Sequence, residues 1–531
     1  MKSVMQHQFA QVPRANIQRS VFNRSHGHKT TFDAGYLVPI YCDEALPGDT
    51  FNLKATIFAR LATPIHPVMD NLYLDTFFFA VPLRLLWANF KKMMGEQVNP
   101  GDSIAYTTPL VTTPAGGWTV GSLSDYFGIP TGINNLTVNA FYHRAYNLIY
   151  NEWFRDENLI NSLTVPTTDG PDAASLYSLQ RRAKRHDYFT SCLPWPQKGA
   201  AVSLPLGTTA SIKTSATDTV TGTSGSLKFR VGSTGNLPSA QRGLTLDANG
   251  SFGNNTTVGA TAMSEGLYPS NLYADLSTAT AATINQLREA FQIQRMLERD
   301  ARSGTRYTEI LQAHFGVLTP DGRLQRPEYL GGSSTRININ AVAQTSETNA
   351  GVSPQGNLAG YGIAADHIHG FTRSFTEHCV IIGIANVRAD LTYQQGLAKK
   401  FSRRTRYDFY WPGLAHLGEQ AVLNQEIYAQ GTAADTQVFG YQERWAEYRY
   451  FPSQITGKFR STYSTPLDSW HLSQKFTALP TLNQTFIEEN PPINRVIAVP
   501  SEPHVIFDSY FDLKCARPMP VYSQPGLIDH F

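Results

Sequence analysis

The most regular pattern of apolar and polar positions lies near the start of the chain, in residues 49–61. Every second residue from Phe51 to Leu61 is apolar, and the residues between them are mostly polar. Because side chains alternate between the faces of a strand, this period of two predicts a strand with one buried face. Residues 71–82 form a second stretch that ends in consecutive apolar residues, which is typical of a strand covered on both faces. The Pro-bearing turns between the two stretches predict a corner, and together these features favour a β-sandwich.

The same alternation returns near the other end of the chain, in residues 504–514. Residues 380–387 form a compact apolar strand candidate, and residues 35–42 a shorter one. The first and last strands of a jelly roll meet in its sheets, so matching strands at both ends favour that topology. We therefore predict a mainly β fold, an eight-stranded antiparallel jelly-roll β-sandwich with long loop and helical insertions. Residues 331–370 are predicted to be loop and short strand.

Helical periodicity marks four further segments. Apolar residues recur near helical spacing most clearly in residues 141–158 and 283–302, whereas residues 84–97 and 305–315 are weaker helix candidates. In the helix candidate of residues 283–302, one face carries four arginines, Arg288, Arg295, Arg299 and Arg302. Glu298 stands at a helical spacing that allows an ion pair with two of them. A solvated ion-paired face is the favoured interpretation of that arginine stripe.

Changes in composition divide the chain into four predicted segments. Residues 1–34 form a basic N-terminal arm, which has no acidic residue before Asp33. Residues 35–198 are predicted to hold the first part of the jelly-roll core, with helical insertions. Residues 199–282 are rich in Ser, Thr and Gly and nearly uncharged, which predicts a surface insertion with a small β fold of its own. Residues 283–531 are predicted to contain a helical insertion and the rest of the core.

Composition narrows the function classes. Hydrophobic residues make up 41% of the 531 residues, which is enough for a packed core and excludes wholesale disorder. The formal net charge is only +2, so any nucleic-acid contact must be local. The four scattered cysteines indicate neither a disulfide framework nor a zinc site. We find no membrane-spanning stretch or signal sequence, and we expect folding in the cytoplasm without membrane insertion.

Motifs for enzymatic or cofactor chemistry are weak. Residues 360–365 fit a loose dinucleotide-binding string, but a loop precedes them and the mechanism needs a strand there. His367, His369 and His378 are better explained as structural histidines than as metal ligands. Carboxylate pairs such as those of a glycoside hydrolase occur in any chain of this length. We therefore expect no catalytic, cofactor or metal site, and we keep a carbohydrate-binding or glycoside-hydrolase-type β-sandwich as the alternative.

Two basic clusters are stronger candidates for chemistry, since cations neutralise phosphates and aromatic faces stack on unpaired bases. The denser cluster is followed by Phe409, Tyr410 and Trp411. Its candidate DNA-contacting residues are Lys399, Lys400, Arg403, Arg404 and Arg406. The second set of candidates is Arg181, Arg182, Lys184 and Arg185. A solvated face or an ion-paired strip between subunits stays open as the alternative for both clusters.

Several long strings carry a family resemblance. Residues 22–39 and 43–53 resemble the start of the major capsid proteins of microviruses, especially the gokushovirus branch. Shorter matching strings are residues 58–64, 69–71, 95–97 and 525–531. The resemblance covers both ends and much of the middle of the chain, and it weakens across residues 199–282.

The resemblance implies a non-enzymatic capsid protein that assembles with copies of itself into a T=1 icosahedral shell around a circular single-stranded DNA genome. It also implies three protein partners: a small basic DNA-packaging protein, an internal scaffolding protein and a pilot protein. In the gokushovirus branch a large insertion forms a protrusion at the threefold axis, and residues 199–282 look like that insertion. Its polar, low-charge loops suit contact with a host surface receptor. The expected location is the virion, after assembly in the cytoplasm of a bacterial host.

Overall fold

The computed structural model of the protein describes residues 18–202, 211–214, 229–231, 244–246, 252–254, 267–269, 272–275, 284–303, 306–316, 325–348 and 354–522. The described parts of residues 1–196 and 301–531 form one compact unit, and those of residues 197–300 form a second.

The strands of the described residues are β1 Ser20–Asn23, β2 His26–Phe32, β3 Val38–Ala45, β4 Thr50–Leu61, β5 Leu72–Pro82, β6 Leu110–Thr112, β7 Thr137–Asn139, β8 Ser211–Thr214, β9 Phe229–Val231, β10 Leu244–Leu246, β11 Phe252–Asn254, β12 Leu267–Pro269, β13 Leu272–Asp275, β14 Glu328–Ala343, β15 Leu358–Ser374, β16 Cys379–Ala389, β17 Glu419–Leu423, β18 Val438–Glu443 and β19 Val505–Arg517.

The α-helices are shorter and mostly single turns. They are α1 Leu83–Leu86, α2 Phe90–Met93, α3 Leu123–Tyr126, α4 Phe141–Ile149, α5 Ile284–Arg302, α6 Tyr307–Phe315, α7 Asn424–Ile427, α8 Ala446–Arg449 and α9 Gln484–Ile487. A π-helical turn, Tyr150–Phe154, continues α4. The 3-10 turns are Ala174–Leu176, Lys399–Phe401, Arg406–Asp408, Pro412–Leu414, Ala433–Thr436, Gly457–Phe459, Asp468–Trp470 and Ile493–Arg495.

The main sheet is antiparallel and contains strands from both ends of the chain. Its order is β1-β19-β4-β15-β14-β5-β16-β3, and β2 also pairs with β19. Since β2 pairs with the first half of β19 and β1 with its last residues, these two short strands together make one interrupted edge strand. The last long strand therefore lies between the first strands of the chain and β4, as the jelly-roll topology requires.

The sheet curls so that its two halves pack face to face. The alternating apolar residues of β4, from Phe51 to Leu61, are all buried in the same cluster as those of β19 and β3. Phe511 of β19 lies 5.1 Å between ring centroids from Tyr41 of β3. Phe78 of β5 lies 5.8 Å from Phe371 of β15. These contacts join the two layers, so the core of the sandwich is built from strands that are far apart in sequence.

The curl passes through β14, which changes its partner along its length. Residues 328–337 pair with β5, and residues 338–343 pair with β15. Gly332 lies where the chains approach most closely: a Cβ atom there would stand 2.0 Å from the Thr76 carbonyl oxygen. Only glycine lets the backbones of β14 and β5 come this close.

The sheet half formed by β5 and β16 is also covered on its other face. Phe79, Val81 and Ile382 pack there against α4 and the residues around α1. Tyr146 of α4 donates a hydrogen bond to the Leu37 carbonyl at 2.8 Å. Arg144 of the same helix forms a fully buried ion pair with Asp172 at 2.7 Å. The consecutive apolar residues at the end of β5 are therefore buried on both faces, as predicted.

In the second unit, the described strands form three antiparallel pairs, β8 with β13, β9 with β12, and β10 with β11. The pairs are nested in sequence, because each inner pair lies between the two strands of the next pair outward. The outermost pair, β8 with β13, therefore joins the beginning and the end of this part of the chain.

The structure confirms the predicted fold class and corrects several elements. Residues 331–370 were predicted as loop and short strand, and this was wrong: β14 and β15 are long and central to the sheet. Residues 84–97 contain two single turns of helix in place of one helix. The predicted starts of the helices at Thr283 and Thr305 lie outside the described residues, which contain α5 and α6. The four-segment division of the chain stays a prediction.

One buried histidine makes the fold sensitive to acid. His143 of α4 is buried beside Trp118, and its Nε2 lies 2.8 Å from the Ser124 hydroxyl. Burial lowers the pKa of His143 from 6.5 to about 4, although the charge of Asp172 opposes this shift. The unfolded chain therefore binds more protons between these two pKa values, and stability falls as the pH falls through that window.

We predict that a His143→Gln variant loses less stability on acidification than the unmodified chain does. Between about pH 7.5 and about pH 5 the difference should reach about 2 kcal/mol, at about 1.4 kcal/mol per pKa unit. Denaturant unfolding at both pH values measures it. The control is His416→Gln, since His416 is exposed and its replacement should leave the pH dependence unchanged. Equal acid sensitivity of His143→Gln and the unmodified chain would contradict the assignment.

Candidate nucleic-acid interface

The segment from Lys399 to Trp411 is held in shape by backbone contacts of its own. It contains the 3-10 turns Lys399–Phe401 and Arg406–Asp408. The carboxylate of Asp408 accepts hydrogen bonds from the backbone N–H groups of Thr405 at 2.7 Å and Arg404 at 2.8 Å. These bonds favour the charged carboxylate and lower the pKa of Asp408. The turn therefore fixes the backbone at Arg404 and Thr405 without using the Arg404 side chain.

Two of the five predicted cations of this segment are used inside the protein. The Lys399 ammonium donates to the Ala421 carbonyl at 3.1 Å and lies 3.5 Å from the buried carboxylate of Glu426. The Arg403 side chain is mostly buried and lies 3.4 Å from the Glu447 carboxylate. Because both have internal acceptors, they position the segment and contribute little free charge to its surface.

The other three cations, Lys400, Arg404 and Arg406, are exposed, and two of them lie against aromatic rings. Lys400 Nζ stands 5.1 Å from the ring centroid of Phe401 and 5.2 Å from that of Phe451. The Arg406 guanidinium lies 4.7 Å from the Trp411 ring centroid. Among the described residues, no carboxylate side chain lies within ion-pair distance of Lys400, Arg404 or Arg406. These cations are therefore available to an external anion.

Exposed rings are unusually frequent around them. Phe401, Tyr407 and Phe451 are exposed by 65% or more, whereas rings of this size are generally half-buried or buried. We call these cations and rings the basic–aromatic patch. It comprises Lys400, Arg404, Arg406, Phe401, Tyr407, Phe409, Tyr410, Trp411, Tyr448, Tyr450 and Phe451. Cations for phosphates and ring faces for unpaired bases are the two components that a surface for single-stranded nucleic acid needs.

Three of the rings of this patch were not predicted from the sequence. Tyr448, Tyr450 and Phe451 come from the segment around α8, more than thirty residues after the basic cluster. Tyr448 lies 4.3 Å from the Arg403 guanidinium, measured to the ring centroid, and this contact joins the two segments. The signal was the aromatic density of residues 445–451, which holds four rings in seven residues.

The first basic cluster is mostly engaged in internal contacts. Arg181 lies over the Tyr36 ring at 4.0 Å and donates to the Glu489 carbonyl. Arg182 forms an ion pair with Asp75 at 2.7 Å. Lys184 is buried, donates to the Phe486 carbonyl at 2.5 Å, and burial lowers its pKa to about 8. Arg185 is the exposed member of the four. The predicted DNA contact of this cluster stays a prediction, and its geometry favours a structural role for the first three.

Other sequence signals place no further site in the described residues. The string of residues 360–365 lies inside β15, without the strand–turn–helix unit that a dinucleotide site requires. No group of three or more His, Cys, Asp or Glu side chains in the described ranges is arranged to hold a metal ion. No helix among those residues is long and apolar enough to cross a membrane.

Structural proteins of viral shells share the jelly-roll sandwich with lectins and cupins, and an exposed basic–aromatic patch favours the class that contacts nucleic acid. The comparisons with known proteins identify the family. Residues 10–527 match the family described as "Capsid protein (F protein)", and the chain belongs to this family of phage capsid proteins.

Individual relatives agree with the family assignment. The chain is 49% identical to "Capsid protein VP1" of Bdellovibrio phage phiMH2K, over 99% of this chain and 98% of that protein. It is 46% identical to "Capsid protein VP1" of Chlamydia phage 1, over 99% of this chain and 98% of that protein. It is 38% identical to "Capsid protein VP1" of Spiroplasma virus 4, over 98% of this chain and 97% of that protein.

The family makes this chain a structural capsid protein, a component of the virion that assembles with copies of itself. It is not an enzyme. The alternative of a carbohydrate-binding or glycoside-hydrolase-type protein is set aside on the same ground. The resemblance to microvirus capsid proteins is confirmed by the relatives.

Proposed function

We propose that this capsid protein forms a T=1 icosahedral shell around a circular single-stranded DNA genome and contacts that DNA through the basic–aromatic patch. The observation that carries the DNA contact is the set of three exposed cations, Lys400, Arg404 and Arg406, among exposed rings. Cations bind phosphates whatever the base, and rings stack on any base, so the contact is sequence-independent. Lys399 and Arg403 hold the segment that carries the patch in place, because they form ion pairs with Glu426 and Glu447.

The low net charge of the chain indicates that another component neutralises most of the packaged DNA. With a formal net charge of +2, one subunit neutralises few phosphates, so most of the packaged charge needs other cations. A small basic DNA-packaging protein would supply them. That partner, the internal scaffolding protein and the pilot protein rest on the resemblance to microviruses.

We predict that replacing Lys400, Arg404 and Arg406 together by Gln lowers the DNA content of particles while shells still form. The three side chains are exposed, so the fold should tolerate the change. The isolated variant should also bind single-stranded DNA with a weaker salt dependence. The slope of log K against log[salt] should fall in magnitude by about two, at about 0.7 for each lost phosphate contact. Nuclease-protected DNA per particle and affinity at several salt concentrations measure the two effects.

The matched control replaces Lys91, Lys92 and Lys475 by Gln. These side chains are partly or fully exposed and lie outside the patch, so the variant removes the same charge elsewhere. If both variants lose DNA equally, the effect belongs to net charge and the patch has no special part in packaging. Normal DNA content in the patch variant would overturn the proposed contact.

We further propose that residues 199–282 form a protrusion at the threefold axis that contacts the host surface. The strand pairs of the second unit support this, because β8 and β13 bring the beginning and the end of the segment together, as an insertion requires. The segment is polar and nearly uncharged, which suits hydrogen bonding to a surface receptor such as a glycan.

We predict that replacing residues 205–280 by a short Gly/Ser linker abolishes adsorption of particles to host cells while leaving the shell intact. The main sheet contains none of the described residues of this segment, so the sandwich should fold without it. Adsorption assays and negative-stain imaging measure the two outcomes, with particles of the unmodified protein as the reference. Intact particles that adsorb normally would contradict the role in attachment.

A further inference from the structure

A small cavity opens beside the basic–aromatic patch and shares Lys400, Tyr450 and Phe451 with it. Its volume is about 120 Å³, several times the roughly 30 Å³ that a water molecule occupies in the liquid. Its walls include the rings of Tyr188, Phe189 and Tyr393, which are buried, and the exposed ring of Phe451. A cavity with aromatic walls is suited to a flat, aromatic guest.

The charged groups of the cavity include both signs. Lys399, Lys400 and Arg403 line it together with the carboxylates of Glu426 and Glu447. Both oxygens of each carboxylate already accept a hydrogen bond from the protein. Glu426 accepts from the Tyr188 hydroxyl at 2.8 Å and the Leu423 N–H at 3.0 Å, and Glu447 accepts from the Gln420 amide at 2.6 Å and Arg403 at 3.4 Å. A carboxylate oxygen has capacity for a further donor. Lys400, which has no carboxylate partner in the described ranges, supplies a donor at the mouth beside Phe451. The cavity thus offers both acceptors and donors.

These properties match an unpaired nucleobase. A base presents two ring faces, and its edge carries donors and acceptors together. The phosphates on either side of it would meet cations at the cavity mouth, where Lys400 lies close to Phe451. A neutral sugar also packs on rings, but it has no negative group for Lys400, the lining cation with no carboxylate partner in the part of the chain that the structure describes.

We propose that this cavity accepts one unpaired base of the packaged single-stranded DNA, with the adjoining phosphate on Lys400. This inference rests on the proposed DNA contact and deepens it: the patch holds the strand, and the cavity takes one base out of the stack at each subunit. Such a site would give the packaged strand a repeated point of attachment to the shell.

The test separates base binding from phosphate binding. The full-length chain is titrated with two short single-stranded probes of equal phosphate number, one an oligodeoxycytidine and the other carrying abasic sugars throughout. Phe451→Ala removes the exposed ring at the cavity mouth. The control is Tyr463→Ala, because Tyr463 is also an exposed ring beside a lysine, Lys458 at 5.6 Å, and it lines no part of the cavity.

The proposal expects Phe451→Ala to weaken binding of the base-bearing probe about ten-fold and binding of the abasic probe by less than about two-fold, as loss of one stacking contact implies. Tyr463→Ala should leave both affinities within about two-fold of the unmodified chain. Thermal unfolding of each variant checks that the fold is retained.

Two results would overturn the proposal in different ways. If Phe451→Ala weakens both probes equally, or neither, the cavity takes no base, while the proposed contact of the patch with DNA still stands. If the unmodified chain binds neither probe, the proposed DNA contact itself fails and this inference fails with it.

Discussion

The structure depends on the pairing of its last long strand with its first ones. β19 pairs with β4 along twelve residues, from Val505 opposite Leu61 to Ala516 opposite Thr50, and its other edge pairs with β1 and β2. Its inward residues Phe507 and Phe511 are buried in the core between the layers. Because more than four hundred residues separate β4 from β19, the sandwich closes only after nearly the whole chain is present. Burial of these apolar residues is the main favourable contribution to that closure.

The insertions are arranged so that this core is undisturbed. The helical insertion after β5 covers the outer face of β5 and β16 and adds a second core there. A third core, rich in aromatic residues, packs residues 188–192 against the segments between β16 and β19, and it supports the basic–aromatic patch through the hydrogen bond from Tyr188 to Glu426. Loops between jelly-roll strands thus carry the surfaces by which a capsid protein contacts other molecules, while the strands supply the rigid wall.

Sequence patterns predicted the strands that have one buried and one exposed face, such as β4 and β19, since their period of two is visible without any partner. β14 and β15 were missed, because glycines and small polar residues are typical of loops. For Gly332 the folded chain shows a different reason, which is its close approach to the Thr76 carbonyl. The sequence showed where the basic clusters are, but not which of their cations are paired inside the protein. Arg182 has its carboxylate partner Asp75 more than a hundred residues away, and only the folded chain shows that such a cation is already paired.

The most direct test of the central claim is sedimentation analysis of a chain that ends at residue 503 and so lacks β19. Without this strand, β4 has an unpaired edge and the sandwich has an open core. The account predicts that the shortened chain forms no closed particles, and that supplying residues 504–531 as a separate peptide restores them at least in part. Closed particles of normal size formed by the shortened chain alone would contradict it.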